Sequence, residues 1–280
     1  MIQQGKFNTL VAVRFTSVGA FLAESEEDEY EDAILLPNKY VPDDLREGDE
    51  ISVFIYTDSE DRLVATTRTP KIQRNEFAYL QCVAVSSVGA FLDWGLEKDL
   101  FVPFREQNKR MEVGRRYVVF LYLDHETDRL VASAKINHFL ENEAFGLEEG
   151  QEVDLLVYEP TDLGFNAIVN NRYRGLLYGN ELFRRLYPGD RLQGYIKRIR
   201  EDNRVDLTLQ KPGFGNIEAG AQQILDSLKA RGGFLPLTDD SDPEEIYDTL
   251  KMSKKTFKRA VGTLYRQQRI TIESGGIRLA

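Results

Sequence analysis

Apolar and polar positions alternate over short runs through the first three quarters of the chain, then switch to helical spacing in the last quarter. Runs such as residues 51–56 (ISVFIY) and 117–122 (YVVFLY) are rich in β-branched and aromatic residues, and turn residues follow at short intervals, which predicts strands. Between residues 218 and 231, Ala221, Ile224, Leu225 and Leu228 share one helical face that ends at Gly232-Gly233. A second helix is expected to open at Asp242-Pro243-Glu244-Glu245, with Asp242 as N-cap, Pro243 in the first helical position and Glu245 completing a capping box. A third runs from Ser253 to about Gln268, and residues 270–279 predict two short strands around Gly275-Gly276.

The strand-rich part repeats itself. SVGAFL at residues 17–22 returns unchanged at 87–92, and DRLVA at 61–65 returns at 128–132. A fainter third copy holds Leu163-Gly164-Phe165 and then residues 203–209 (NRVDLTL). Each copy also has a glycine leading a strand in its second half, at Gly48, Gly114 and Gly189. A period near 70 residues with about five short strands per copy predicts small closed Greek-key barrels of the oligonucleotide-binding kind. The expected architecture is mainly β with an α+β tail: three tandem OB-fold barrels at 1–70, 71–145 and 146–215, then a winged helix-turn-helix at 216–280.

In the repeated hexapeptide, period two puts Val18, Ala20 and Leu22 on one face, fit for a barrel core, and Gly19 and Phe21 on the other. An aromatic beside a glycine has an accessible ring, which suits stacking on an unpaired base. It suits packing under a loop or against a neighbouring barrel equally well, and the pattern leaves both readings of Phe21 and Phe91 open.

Each copy resembles a ribosomal-protein-S1-type RNA-binding domain, whose motif is an early Phe-Gly-Ala-Phe-like strand, a middle Gly-Leu-Val-His-like segment and a late Arg-Ile-x-Leu-like strand. Three such domains followed by a winged helix resemble, over essentially the whole chain, the YitL/CvfB family (conserved virulence factor B) of bacterial RNA-binding regulators. The resemblance implies RNA binding without catalysis and post-transcriptional control of gene expression. Carried onto this sequence, the first aromatic of the motif is Val18, Val88 and Leu163, and the second is Phe21, Phe91 and Asn166, with Phe165 adjacent. The middle position is Leu36, Val102 and Tyr178, and the late arginine is Arg62, Arg129 and Arg204. No copy holds the whole set.

Charge separates the copies. The chain has 36 Lys+Arg against 46 Asp+Glu, a net of −10. Residues 1–70 hold 6 against 15, residues 71–145 and 146–215 hold 10 against 11 each, and residues 216–280 hold 10 against 9. The acidity concentrates in residues 24–32 (ESEEDEYED), which would repel a phosphate backbone. This run reads as a solvated loop, with a divalent-ion site or a contact for a basic partner as alternatives. The third copy clusters Arg172 with Arg174, Arg184 with Arg185, and Lys197, Arg198, Arg200 and Arg204. Phe165, Tyr173, Tyr178, Phe183, Tyr187 and Tyr195 interleave with them. Cations for phosphates mixed with rings for bases are what single-stranded nucleic acid requires. On the third helix Phe257, Ala260, Val261 and Leu264 fall inward, and Lys255, Lys258, Arg259 and Arg266 fall on the face a winged helix turns to nucleic acid. Arg278 lies near the wing tip.

One cysteine, Cys82, excludes a disulfide scaffold. The two histidines, His125 and His138, are expected at the surface and lack zinc-ligand spacing. There is no Gly-rich phosphate loop with Lys-Ser/Thr and no Gly-x-Ser-x-Gly elbow, so neither cofactor nor metal is expected. No apolar run is long enough for a membrane span and the first residues lack a signal-peptide pattern, so a cytoplasmic location is expected. The expected function is a non-enzymatic regulator that binds single-stranded RNA, mainly through the third copy and the tail, with ribosomal or RNA-processing proteins as further partners. The alternatives are an interaction scaffold of the translation or RNA-decay machinery, and a duplex-DNA regulator acting through the winged helix.

Overall fold

The computed structural model describes residues 2–25, 33–141, 143–182, 184–210 and 217–280. Residues 26–32 of the acidic run, and Phe183, lie outside the described residues. The chain forms two compact units, Met1–Phe139 and Leu140–Ala280.

In the first unit β1 (Phe7–Thr16), β2 (Gly19–Ala23), β3 (Ile34–Pro37), β4 (Glu50–Thr57) and β5 (Leu63–Thr66) close into a barrel of order β1-β2-β3-β5-β4. Its seam is one parallel pair, Leu35 with Val64. The same succession recurs as β6 (Phe77–Val85), β7 (Gly89–Asp93), β8 (Leu100–Pro103), β9 (Arg116–Asp124) and β10 (Arg129–Ser133). Here the sheet order is β10-β9-β6-β7-β8, with β8 and β10 side by side but not paired. The second barrel is therefore an open sheet curled round its core, where a closed one was expected.

In the second unit β11 (Glu152–Thr161), β12 (Gly164–Val169), β13 (Tyr173–Tyr178), β14 (Arg191–Ile199) and β15 (Val205–Thr208) close again, through a three-residue parallel seam between β13 and β15. Residues just ahead of β11 fold onto this barrel: Glu141 bridges to Tyr173, and the Tyr173 hydroxyl donates to the Phe145 carbonyl at 2.5 Å.

The repeats have structural causes. The first strand of every copy carries a bulge, between Ala12 and Arg14, Cys82 and Ala84, and Val157 and Glu159, which bends it round the barrel. The hexapeptide glycine lets its strand approach the next one. A Cβ at Gly19 would sit 2.1 Å from the Leu36 carbonyl oxygen, and at Gly164 2.0 Å from that of Leu177. The glycine thus serves strand contact rather than opening the phenylalanine ring. The DR repeat marks the β4–β5 turn and its counterparts, where Asp61, Asp128 and Asn203 take φ of 62°, 52° and 61°, a conformation Asp and Asn tolerate.

Ala20 and Leu22 enter the first core as expected, with Leu10, Ala12, Leu36 and Ile55. Val18 does not. The strand starts at Gly19, and Val18, Val88 and Leu163 are 56%, 60% and 63% exposed at the tips of equivalent turns. Phe54 and Tyr56 pack away from the first barrel onto Trp94 of the second, with ring centroids 5.8 and 6.2 Å apart, so the two barrels share apolar core.

The tail is α1 (Ile217–Ala230), β16 (Phe234–Leu235), α2 (Pro243–Leu250), α3 (Lys254–Arg266), β17 (Ile270–Glu273) and β18 (Gly276–Leu279). Asp242 caps α2 by accepting from the Glu244 N–H at 2.8 Å, and Ser253 caps α3 by accepting from Thr256 N–H at 3.2 Å. The predicted hairpin forms, but β16 joins it in a three-stranded sheet of order β16-β18-β17. A Cβ at Gly276 would meet the Leu235 carbonyl at 2.3 Å, so this glycine admits β16 rather than making the turn.

Candidate nucleic-acid interface

On the third barrel β12, β13 and the β14–β15 hairpin frame a groove of about 680 Å³. Strand alternation selects its wall. On β13 Arg174, Leu176 and Tyr178 face the groove, while Tyr173 and Leu177 are buried in the core. Tyr178 stands opposite Gly164, beside the exposed Leu163. Its hydroxyl donates to Asp206 Oδ1 at 3.2 Å and accepts from Arg200 Nη2. Arg200 Nε lies 3.0 Å from both Asp206 oxygens, and that bond holds the guanidinium pKa above its ordinary value. Tyr178 is thus held at its hydroxyl, with its ring half-buried at the groove wall. Lys197 Nζ lies 5.8 Å from the ring centroid and pairs with Glu181.

Of the other four cations predicted to bind RNA on this barrel, two are already engaged and two are not. Arg172 pairs with Glu141 at 2.6 Å and lies over Tyr173, and Arg204 pairs loosely with Asp202 at 3.4 Å. Arg174 and Arg198 are exposed and form no ion pair among the described residues. Arg174, Arg200 and Arg204 line the groove; Arg172, Lys197 and Arg198 do not. Phe165, predicted as a stacking ring, does not line it either: it pairs with Leu177 and packs on the barrel core, because it occupies the inward position held by Ala20 and Ala90 in the other copies. Glu141, Asp162, Asp202 and Asp206 also line the groove, so its wall mixes cations with hydrogen-bond acceptors.

Asp206 is a groove residue that the sequence motifs do not single out. It occupies the place of Val64 and Val131, and a carboxylate at a position otherwise apolar was the available signal. The middle motif position also needs correction. Gly19, Gly89 and Gly164 pair with Pro37, Pro103 and Tyr178, so the counterparts of Tyr178 are the two prolines, and Leu36 and Val102 are core residues.

The first two barrels present less. Phe21 is half-buried beneath Arg14, whose guanidinium lies 4.9 Å from the ring centroid, and Arg62 is taken by Asp58 at 2.7 Å and Glu60 at 2.9 Å. Phe91 is half-buried against Phe101 at 5.3 Å between centroids, and Arg129 is paired with Asp61. On α3, Phe257, Ala260, Val261 and Leu264 are buried, and Lys255, Lys258, Arg259 and Arg266 are exposed, as the spacing requires. Lys258 lies 3.7 Å from Asp239 and Arg266 donates to the Gly262 carbonyl, while Lys255 and Arg259 form no ion pair among the described residues. Arg278 is paired with Glu273 at 2.7 Å and covers Phe234.

His125 and His138 are exposed, and no group of three potential metal-ligating side chains occurs among the described residues. No helix among them is long and apolar enough to cross a membrane.

Residues 4–68 and 76–135 match the S1 domain, and residues 222–279 match the CvfB-like winged helix domain. Over 281 residues the chain is 28% identical to the uncharacterized protein YitL of Bacillus subtilis (strain 168), covering 98% of this chain and 93% of that protein. It is 28% identical to conserved virulence factor B of Staphylococcus saprophyticus over 85% of this chain and 82% of that one, and 26% identical to its namesake in Staphylococcus aureus (strain N315) over 85% and 81%. Among solved structures, a multidomain protein with nucleic acid binding domains from Streptococcus pneumoniae aligns over 99% of this chain and 98% of its own, at 22% identity and a TM-score of 0.42. Two S1 domains, a third barrel of the same strand order and this winged helix place the chain in the YitL/CvfB family.

Proposed function

We propose that this chain binds single-stranded RNA through its third barrel and winged helix, and acts in the cytoplasm as a non-enzymatic regulator of gene expression after transcription. Tyr178 carries the reading: a ring fixed at its hydroxyl by Arg200 and Asp206, on the wall of a groove of about 680 Å³. That volume is in the range of small-ligand sites, and a ring so held can stack on a base at little entropic cost. The wall carboxylates accept from exocyclic amino groups, and Arg174 and Arg204 meet phosphates. Exposed bases make single-stranded RNA a better fit than duplex. The exposed Lys255 and Arg259 of α3 extend the cationic surface. In functional terms the proposed division is 1–70, 71–139, 140–215 and 216–280, the expected boundary at 145/146 moving to 139/140 because Glu141 and Phe145 contact Tyr173 of the third barrel.

The test is anisotropy of labelled single-stranded RNA from low to high salt, with the full chain, residues 1–139 and residues 140–280. The expected result is that 140–280 binds nearly as tightly as the full chain, with affinity falling steeply as salt rises, and that unlabelled RNA competes better than duplex DNA. Absence of binding above non-specific affinity in all three samples overturns the reading in favour of a protein-interaction scaffold. Better competition by duplex DNA overturns it in favour of a DNA regulator.

A further inference from the structure

The first unit holds a second cleft, of about 320 Å³, where the β4–β5 turn of the first barrel meets the second barrel. Phe91 and Phe101 form one wall, Trp94 lies in its lining, and Lys98 and Arg129 supply positive charge. An aromatic pair beside two cations is the composition that a base and its phosphate require. The phosphate's place is taken by a carboxylate of the chain itself. Asp61 Oδ1 lies 3.1 Å from Lys98 Nζ, and Asp61 Oδ2 accepts from Arg129 Nη2.

The turn itself does not require this carboxylate. Asn203 takes the same left-handed conformation at the corresponding turn of the third barrel, with φ of 61° against 62° at Asp61. What distinguishes Asp61 is therefore its contact with Lys98 and Arg129. With it in place the cleft is electrically balanced, Lys98 and Arg129 against Asp61 and Asp99. The contact is also exchangeable. The three side chains are 39%, 34% and 57% exposed, and ion pairs so open to water are weak and screened by salt.

We propose that Asp61 of the first barrel blocks the second barrel's S1 motif positions Phe91 and Arg129 by standing in for the phosphate of a nucleotide, so that RNA enters there only by displacing this carboxylate. The inference rests on the reading that the chain binds single-stranded RNA, but its residues are separate from those of the third barrel.

Trp94 is the only tryptophan of the chain and lines this cleft but not the groove of the third barrel, so its fluorescence reports occupancy here and not at Tyr178. The experiment titrates an oligoadenylate hexamer, carrying a label for anisotropy, into the full chain, Asp61→Asn, and Asp61→Asn combined with Arg129→Gln. Asparagine keeps the turn, and Lys98 keeps its bond to the Asp58 carbonyl at 2.6 Å. Arg129 is exposed, so neither change disturbs the core. The expected result is that half-saturation of the Trp94 signal moves to a concentration lower by on the order of fivefold in Asp61→Asn, and that adding Arg129→Gln abolishes the gain. An unchanged Trp94 titration in Asp61→Asn overturns the inference, as does a gain that survives Arg129→Gln. If anisotropy rises with no Trp94 response in any sample, the cleft is refuted and the RNA reading stands; if neither signal moves, both fail.

Discussion

Arg200 and Asp206 face each other at the base of the β14–β15 turn, the guanidinium Nε equidistant at 3.0 Å from both carboxylate oxygens. Tyr178 completes the group by donating to the same carboxylate and accepting from the same guanidinium. The pair buries a charge without leaving it unpaired and fixes the ring above it. Removing the ring and removing only its hydroxyl should therefore differ. Tyr178→Leu is expected to weaken binding of single-stranded RNA by about 1–3 kcal/mol, the range for one stacked base. Tyr178→Phe keeps the face and is expected to cost less than about 1 kcal/mol. Anisotropy titrations of the two variants, with matched thermal melts, check the difference.

Cations that are already paired should contribute less than those that are not. Arg174 and Arg198 have no ion pair among the described residues, whereas Arg172 is held by Glu141 and Lys197 by Glu181. Each phosphate contact contributes about 0.7 to the log–log salt slope for single strands. Arg174→Gln and Arg198→Gln are each expected to flatten the slope by about that amount. Arg172→Gln should change it less, because Glu141 loses its partner at the same time. The measurement is affinity against salt concentration for the three variants.

On α3, Lys255 and Arg259 lie one turn apart on the exposed face, and Phe257, Ala260 and Leu264 hold the helix to the core. Reversing both charges touches no core contact. Lys255→Glu with Arg259→Glu is expected to weaken RNA binding at low salt by about tenfold, as for the loss and reversal of two phosphate contacts, and to leave the melting temperature within a few degrees of the parent. An unaltered affinity would assign the face to solvent and leave the barrel groove as the site.

The division between what the sequence disclosed and what it hid follows the range of the interactions. Barrel strands, the Asp242 cap and the inward face of α3 depend on neighbours within a few residues and were legible: Ala20, Leu22, Asp242 and Phe257 do what local pattern requires, whereas Val18, just outside its strand, does not. Pairings between distant segments were not. Nothing near Arg129 announces Asp61, which is 68 positions away, and nothing in 234–235 announces a third strand on the wing. Registration by motif also slipped by one place at Leu36 and Val102. An apolar residue before a proline looks like the motif's apolar-then-polar step, and only the Gly19–Pro37 and Gly89–Pro103 pairs fix it. The basic clusters were real in sequence but mostly neutralised in space, by acids such as Glu141 and Glu181 that composition counted separately.

The Asp61 clasp carries a pH signature. Its hydrogen bond with Lys98, helped by the charges of Lys98 and Arg129, holds the carboxyl below its ordinary value of 3.8. A carboxyl lowered by folding stabilises the fold fully above its unfolded pKa, and that stabilisation is lost as pH falls through the lower folded value. The melting-temperature difference between the parent chain and Asp61→Asn should stay constant from pH 7 to about 5 and shrink only below about 4. A difference that instead changed between pH 5 and 7 would point to a group other than Asp61. Melts of both chains across that range, at fixed ionic strength, decide it.

The second strand of each copy opens on a glycine, Gly19, Gly89 or Gly164. At Gly164 a Cβ would lie 2.0 Å from the Leu177 carbonyl oxygen and 2.6 Å from the Gly179 nitrogen, both backbone atoms that cannot move aside alone. Gly146 also has a positive φ, 78°, but nothing lies within 4 Å of its Cβ position. Alanine at 146 therefore meets only the local conformational cost, about 1–2 kcal/mol. Alanine at 164 adds overpacking, typically about 1–3 kcal/mol more, and forces β12 away from β13. Because Gly164 pairs with Tyr178, that displacement moves the ring from its place above Arg200. Gly164→Ala should lower both the denaturant midpoint and RNA affinity, whereas Gly146→Ala should lower the midpoint alone. Equal losses of affinity in the two variants would show that the approach of β12 to β13 does not set the position of Tyr178.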